Sequence, residues 1–170
     1  INTILGARFT SWLNDELRVN SGLTYGARSR FYSQSQTGNF AISTFTKKES
    51  TFEALDLAFK TYQRLWKVGI DEDTLASAKA YVKGQFPPRY ETSEQLADAL
   101  SRTWSLGLDD TFIDNFQADV DALDLSKAKK LIDLYFPQDK LQLVLVGEAA
   151  LIREQAKNYG TLRETNIEDF

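Results

Sequence analysis

Residues 13–29 read LNDELRVNSGLTYGARS, in which a helical pattern stops at a glycine and a strand-like pattern follows. Arg18 lies in the last helical turn, Gly22 favours the end of the helix, and Tyr25 leads the strand. We expect the glycine turn to let the side chains of Arg18 and Tyr25 point into one cleft. A guanidinium and a phenol are hydrogen-bond donors suited to an oxyanion or a peptide carbonyl.

A structural role for these two residues stays open at this point. The helix macrodipole favours an Arg in the last turn of any helix, and a Tyr is common in strands. Arg28 and Arg30 share one face of the same predicted strand. They either meet a carboxylate there or belong to a solvated sheet face.

The composition predicts one globular domain over residues 1–170. The chain is 42% hydrophobic and 26% charged, which suits a domain with a substantial core. Its net charge is −4 and its basic residues are scattered, so we expect neither nucleic acid nor an anionic membrane surface as a partner. The longest apolar run, residues 141–146, is too short to span a bilayer.

The absent residue types restrict the chemistry further. The chain contains no His and no Cys. This excludes imidazole acid–base catalysis, a Ser-His-Asp triad, thiolate metal sites and imidazole zinc sites within these residues. The acidic run 119–124 lacks the glycine and the distal glutamate of a calcium loop, so no metal or cofactor site is predicted here. Since the chain has no Met and opens at Ile1 within a helical pattern, we expect it to be part of a longer polypeptide.

Apolar periodicity and helix caps predict the element order α-β-β-α-α-α-α-α-β-α. The first helix is predicted over Thr3–Val19, with Leu5, Phe9, Leu13 and Leu17 on one face, and a hairpin over residues 25–33 and 39–46. Further helices are predicted to start at a capping box in 50–53, at Asp71, at a capping box in 92–95, at Asp110, at Asp124 and at Ala150; residues 141–146 are predicted as a buried strand. This is an α+β fold, with a small, mostly antiparallel sheet covered by helices on one face. Because three strands are few for so many helices, we expect a further strand upstream of Ile1.

Several segments together resemble one known family, the C-terminal domain of pitrilysin/insulinase-type zinc metallopeptidases. The pattern Leu-Gly near the helix start, then Phe-Thr-Ser-x-Leu-Asn, then Leu-Arg-x-x-x-Gly-Leu-x-Tyr, occupies residues 5–25. Downstream segments in family order are 84–87, 91–93, 106–108 and 143–148, so the resemblance spans essentially the whole chain. Two positions depart from the pattern: Ala7 stands where a second glycine is common, and Trp12 where an Arg is common.

The resemblance implies half of a catalytic site. In this family, homologous domains close like a clamshell around a peptide chamber, and one of them carries a His-x-x-Glu-His zinc motif. The other contributes an Arg and a Tyr to the peptide backbone near the scissile carbonyl, and by motif position these are Arg18 and Tyr25.

The resemblance also implies the partners of this chain. We expect a zinc-bearing homologous domain, in the same chain or a separate subunit, and a peptide substrate. We expect no cofactor in this chain itself, and a periplasmic or secreted location by family analogy. The expected function is therefore that of a substrate-binding half-site domain of a zinc endopeptidase, inactive alone. The alternatives are a non-catalytic scaffold or interaction subunit of the same fold, and an unrelated α+β interaction module.

Overall fold

The helices and strands follow the predicted order over most of the chain. A computed structural model describes residues 1–109, 111–166 and 168. The elements are α1 (Thr3–Ala7, of the wide π type), α2 (Trp12–Asn14, continuing in the π form over Asp15–Asn20), β1 (Ala27–Ser33), β2 (Gly38–Thr44), α3 (Thr51–Lys67), α4 (Glu72–Gly84), α5 (Ser93–Ser105), α6 (Thr111–Asp114), α7 (Phe116–Asp121), α8 (Leu125–Tyr135) and α9 (Ala149–Ala156). None of the described helices is both long and apolar enough to cross a membrane.

The prediction of one helix over Thr3–Val19 is wrong, because the chain is extended between α1 and α2. Arg8 (φ −123°, ψ 164°) and Ser11 (φ −96°, ψ 158°) have strand-like backbone angles. The Arg8 guanidinium donates to Thr10 O at 3.2 Å and to Ser77 Oγ at 3.0 Å, and these bonds hold the corner. Phe9 consequently lies outside the core and is 65% exposed.

The two strands form the predicted antiparallel hairpin. The register runs from Ala27 opposite Thr44 to Ser33 opposite Gly38. Both strands are shorter than predicted, and Tyr25 lies in the bend before β1 instead of leading the strand.

One face of this sheet carries the core. Ala27 and Ser29 are buried, and Phe31 and Phe40 pack with their ring centroids 5.2 and 5.1 Å from the ring of Phe136. Buried side chains of α1 and α2 lie on the same side: Ile4, Leu5, Leu13 and Leu17. The other face exposes its side chains, so helices cover the sheet on one side and the predicted α+β class is confirmed.

Three of the predicted helix starts are confirmed by their caps. Asp71 accepts from Thr74 N at 2.7 Å, and Asp124 accepts from Lys127 N at 2.7 Å. Thr92 Oγ1 accepts from Gln95 N and Gln95 Oε1 accepts from Thr92 N, which completes a capping box. Each cap supplies an acceptor to a backbone N–H group of the first helical turn, which has no partner within the helix.

The capping box predicted at residues 50–53 is wrong. Ser50 (φ −103°, ψ 9°) lacks the extended backbone of an N-cap, and its side chain makes no cap hydrogen bond. A 3₁₀ turn, Lys48–Ser50, leads into α3 instead. The predicted cap Asp110 lies outside the described residues. The last helix is confirmed, since α9 continues as a 3₁₀ turn to Tyr159.

The prediction of a buried strand over residues 141–146 is also wrong. These residues have no strand assignment and make no backbone hydrogen bond to β1 or β2 among the described residues. Val144 and Val146 are 85% and 87% exposed. An apolar run becomes a buried strand only where a neighbouring strand supplies the ladder, and the described sheet contains β1 and β2 alone.

Candidate functional site

The helix that carries Arg18 ends in a glycine turn that reverses the chain. Gly22 has φ +66°, a conformation that a residue with a Cβ adopts at a cost. Leu23 N and Thr24 N both donate to Leu17 O, at 2.9 and 3.2 Å. The segment after the turn therefore runs beside the last turn of α2.

Threonine hydroxyls hold this segment against the end of β2. Thr24 Oγ1 donates to Phe45 O at 2.6 Å and accepts from Gly26 N at 3.2 Å. Thr46 Oγ1 donates to Leu23 O at 2.6 Å. With its backbone bonded on both sides of Tyr25, the segment has little freedom to move.

Arg18 and Tyr25 lie on these adjacent segments. Because Thr24 N is 3.2 Å from Leu17 O, the Cα atoms of Arg18 and Tyr25 are at most about 11 Å apart. The Arg18 guanidinium lies 4.6 Å from the ring centroid of Phe9, and Tyr25 is 84% exposed. Among the described residues, neither side chain forms an ion pair or a side-chain hydrogen bond, so both keep their donors free. Tyr25 is thus exposed and Arg18 is half-buried, and a shared cleft that receives both side chains stays a prediction.

Sequence reasoning missed Asn14, which joins three segments at this site. Its side chain is 7% exposed; Oδ1 accepts from Ala27 N at 2.9 Å and Nδ2 donates to Arg8 O at 3.4 Å. Asn is a poor helix former, and a buried one within a helix has a backbone partner elsewhere. An Asn within a predicted helix, between the apolar Leu13 and Leu17, was the pattern in the sequence that could have indicated this role.

The two departures from the family pattern have structural explanations. An added Cβ on Gly6 would lie 2.5 Å from Ser29 N, so the first glycine is needed for close packing, whereas Ala7 is exposed and has room for its methyl group. Trp12 is buried, and the guanidinium of Arg64 lies 4.2 Å from its ring centroid. Trp12 is thus a packing residue.

The paired arginines on β1 belong to a solvated sheet face. Arg28 and Arg30 are exposed, and within the described part of the chain neither is within ion-pair distance of a carboxylate. The Arg30 guanidinium lies 5.7 Å from the ring centroid of Tyr32 on the same face. The carboxylate alternative therefore has no support among the residues that the structure describes.

The donor set of this chain does not fit zinc. The sequence has no His and no Cys, and among the described residues no three acidic side chains converge on a point where an ion could bind. In the acidic run, Asp124 caps α8 and Asp121 pairs with Lys83 at 2.7 Å. The hydrogen bond from Lys83 holds the pKa of Asp121 below its usual value.

An open groove of about 420 Å³ lies away from Arg18 and Tyr25, between α4 and the end of α7. Lys79 Nζ donates across it to Asp121 O at 2.9 Å and to Leu123 O at 2.8 Å. Because Lys79 joins its two sides, the groove is a seam between helices.

Comparison with known proteins relates the first part of the chain to one family. Residues 1–82, just under half of the chain, match the family described as "Peptidase M16 inactive domain". No curated protein matches the sequence.

Solved structures share the fold over most of the chain. The crystal structure of a peptidase M16 inactive domain from Pseudomonas fluorescens is 25% identical, with a TM-score of 0.74; the match covers 82% of this chain and 33% of that one. A candidate zinc protease from Bordetella pertussis Tohama I has 20% identity and a TM-score of 0.65, covering 79% and 73% of the two chains. The periplasmic protease PqqL from Escherichia coli has 16% identity and a TM-score of 0.64, covering 74% and 14%.

The chain thus spans about a third of the length of the Pseudomonas fluorescens chain. The last two likenesses concern the fold alone. The family match covers α1 to most of α4, including Arg18 and Tyr25, and the shared fold extends well beyond it. Residues 1–82 thus match the peptidase M16 inactive domain, and the chain shares its fold with solved domains of that description, which agrees with the resemblance to the C-terminal domain of pitrilysin-type proteases.

Proposed function

We propose that this chain is the substrate-binding half-site domain of a zinc-dependent endopeptidase, in which Arg18 and Tyr25 donate hydrogen bonds to the peptide substrate. The observation that carries the proposal is the state of Tyr25. Its phenol is exposed and makes no hydrogen bond within the described chain, although the backbone on either side is held by Thr24 and Thr46. A free donor on a rigid segment is what recognition of a substrate carbonyl requires.

The two donors have different tasks in this proposal. Tyr25 donates to the carbonyl oxygen on which negative charge develops during hydrolysis, where a donor fixed in advance stabilises the transition state. Arg18 holds main-chain carbonyls of the peptide through its planar set of N–H groups. Its ring contact with Phe9 restricts the guanidinium, so less conformational entropy is lost on binding.

The zinc ligands belong to a partner in this proposal, since this chain has no His or Cys and no cluster of three acidic side chains among its described residues. We infer that residues 1–170 form a single domain and that a homologous zinc-bearing domain, in the same polypeptide or a separate subunit, closes over the open surface around Tyr25. We also propose a periplasmic or secreted location, for which the periplasmic protease PqqL with the same fold offers support.

Peptide binding by the chain itself is the first test. The ¹⁵N-labelled chain is titrated with an unstructured nonapeptide, and NMR shift changes are mapped. We expect the changes to cluster around residues 18 and 25. Changes confined to the groove around Asp121, or none at millimolar peptide, would refute this location of the site.

Turnover tests the roles of the two donors in the enzyme assembled with its zinc-bearing domain. Tyr25→Phe should lower kcat on an internally quenched nonapeptide by roughly 10²- to 10³-fold, with zinc content unchanged. Arg18→Ala should chiefly raise KM, because it removes contacts made already in the bound substrate. Tyr32→Phe, at an exposed tyrosine on the outer sheet face, is the matched control and should leave turnover unchanged.

The scaffold alternative gives a different result in the same assay. A non-catalytic subunit would show no hydrolysis even with its partner domain present, and no change in Tyr25→Phe. The isolated chain should have no chelator-sensitive activity, and such activity would contradict the half-site proposal.

A further inference from the structure

The side chain of Asn14 connects the elements that carry the two proposed donors. Its Oδ1 accepts from the backbone N of Ala27, two residues after Tyr25. Its Nδ2 donates to the backbone O of Arg8, the residue before the Phe9 ring on which Arg18 lies. Asn14 itself is four positions before Arg18 on α2, about one helical turn away.

The buried position makes this connection stiff. Asn14 is almost wholly enclosed, and Ala27 is fully buried, so no water competes for the Ala27 N–H group. Oδ1 also lies 3.7 Å from where a Cβ on Gly26 would be, which shows how closely the backbone after Tyr25 approaches it. A hydrogen bond of this kind, buried at both ends, fixes the separation of the two segments more tightly than an exposed one.

A second asparagine makes similar contacts with the same strand without reaching either donor. Asn2 Nδ2 donates to Ser29 O at 3.1 Å, and Asn2 Oδ1 accepts from Ser29 Oγ at 2.5 Å. Asn2 therefore joins α1 to β1 as Asn14 joins α2 to β1. Of these two asparagines, only Asn14 joins the segments that carry Arg18 and Tyr25. A comparison of variants at the two positions therefore separates a loss of stability from a change in the position of the donors.

We propose that Asn14 is a positioning residue that sets the distance between Tyr25 and Arg18, an inference that rests on the substrate-binding role proposed above. Replacing its amide frees the Ala27 N–H group, and the start of β1 shifts relative to α2. The phenol then meets the substrate carbonyl at a worse distance and angle. Since such displacements act on the transition state, the loss falls on kcat more than on KM.

The test compares Asn14→Ala with Asn2→Ala in the enzyme assembled with its zinc-bearing domain. Both variants should lower Tm by a few degrees, since each removes two hydrogen bonds. Only Asn14→Ala should lower kcat on the quenched nonapeptide, by roughly 10- to 100-fold. In the isolated chain, Asn14→Ala should also speed amide hydrogen exchange at Ala27, and Asn2→Ala should not.

A double-mutant cycle shows whether Asn14 acts through Tyr25. In a Tyr25→Phe background, Asn14→Ala should lower kcat by no more than about twofold, because the donor that it positions is already gone. Full additivity, or equal kcat losses in Asn14→Ala and Asn2→Ala, would overturn the inference. Should Asn14→Ala fail to fold, Asn14→Leu and Asn2→Leu make the same comparison, because leucine removes both hydrogen bonds and keeps nearly the same side-chain volume.

The outcomes also separate this inference from the proposed function. If Tyr25→Phe and Arg18→Ala leave turnover unchanged, the proposed function is wrong and the positioning role falls with it. If those two variants lose activity while Asn14→Ala behaves like Asn2→Ala, the proposed function stands and only the positioning role is wrong.

Discussion

Replacing Gly6 by alanine should force helix α1 and strand β1 apart. An ideal Cβ on Gly6 lies 2.5 Å from Ser29 N, 2.5 Å from Ser29 Oγ and 2.8 Å from Leu13 Cδ1. The Ser29 hydroxyl and the Leu13 methyl group can turn away, but the backbone nitrogen cannot. Ordinary van der Waals contact begins near 3.4 Å, so the two elements must separate by about 0.9 Å.

The expected cost follows from two opposing effects. Overpacking of a close contact costs about 1–3 kcal/mol, and the upper part of that range applies because a backbone atom is involved. Alanine also lowers the entropy of the unfolded chain, which offsets about 0.4–1 kcal/mol at a position without positive φ. The net loss of stability should be about 2 kcal/mol, or roughly 4–8 °C in Tm for a domain of this size.

Gly84 provides a matched control for this substitution. It ends α4, has no positive φ, and an added Cβ there meets nothing within 4 Å. Gly84→Ala should therefore raise the free energy of unfolding by about 0.4–1 kcal/mol. Both variants are measured by urea unfolding followed by circular dichroism. A Gly6→Ala variant as stable as the wild type would show that the close approach of α1 to β1 does not limit the packing.

Three further outcomes are expected for the core and the tyrosines. Phe136→Ala should cost about 3–5 kcal/mol in urea unfolding, since its ring packs on both sheet phenylalanines, and a loss below 1 kcal/mol would contradict that packing. Burial raises the pKa of Tyr62 above that of an unfolded phenol, about 10, so stability should hold below pH 10 and fall above it as the unfolded state ionises first. Tyr62→Phe should weaken that alkaline loss, and an unchanged pH profile would refute it. The hydrogen bond to Asp56 raises the pKa of Tyr159 to about 12, so Asp56→Asn should bring it back toward 10 in a spectrophotometric titration, and an unchanged value would contradict the assignment.

Local signals predicted a large part of the fold. The caps at Asp71, Thr92 and Asp124 were correct because a cap is a contact between residues three positions apart, which the sequence contains in full. The stop at Gly22 was correct for the same reason, since a left-handed turn after a helix depends on the residue itself. Ser50 matches the same cap pattern, but it is the last residue of a 3₁₀ turn. Its backbone therefore does not adopt the extended conformation of an N-cap.

The remaining errors concern contacts between distant elements. The apolar periodicity of residues 3–19 fits one long helix and two short helices equally well. In the structure with two helices, Gly6 packs on Ser29 and Arg8 donates a hydrogen bond to Ser77. Residues 141–146 have the composition of a strand, but a strand exists only beside another strand. The composition of residues 141–146 does not indicate whether a neighbouring strand is present.

The sequence by itself determined the α+β class, the hairpin, the absence of imidazole and thiolate chemistry, and the choice of Arg18 and Tyr25 as candidates. Only the tertiary structure decided that Tyr25 stands exposed before the strand, that Arg18 rests on Phe9, and that Asn14 ties their segments together. The physical reason is the range of the interactions. Composition, turns and caps act over a few residues, whereas the bond from Asn14 to Ala27 spans thirteen positions and forms only when α2 and β1 pack side by side.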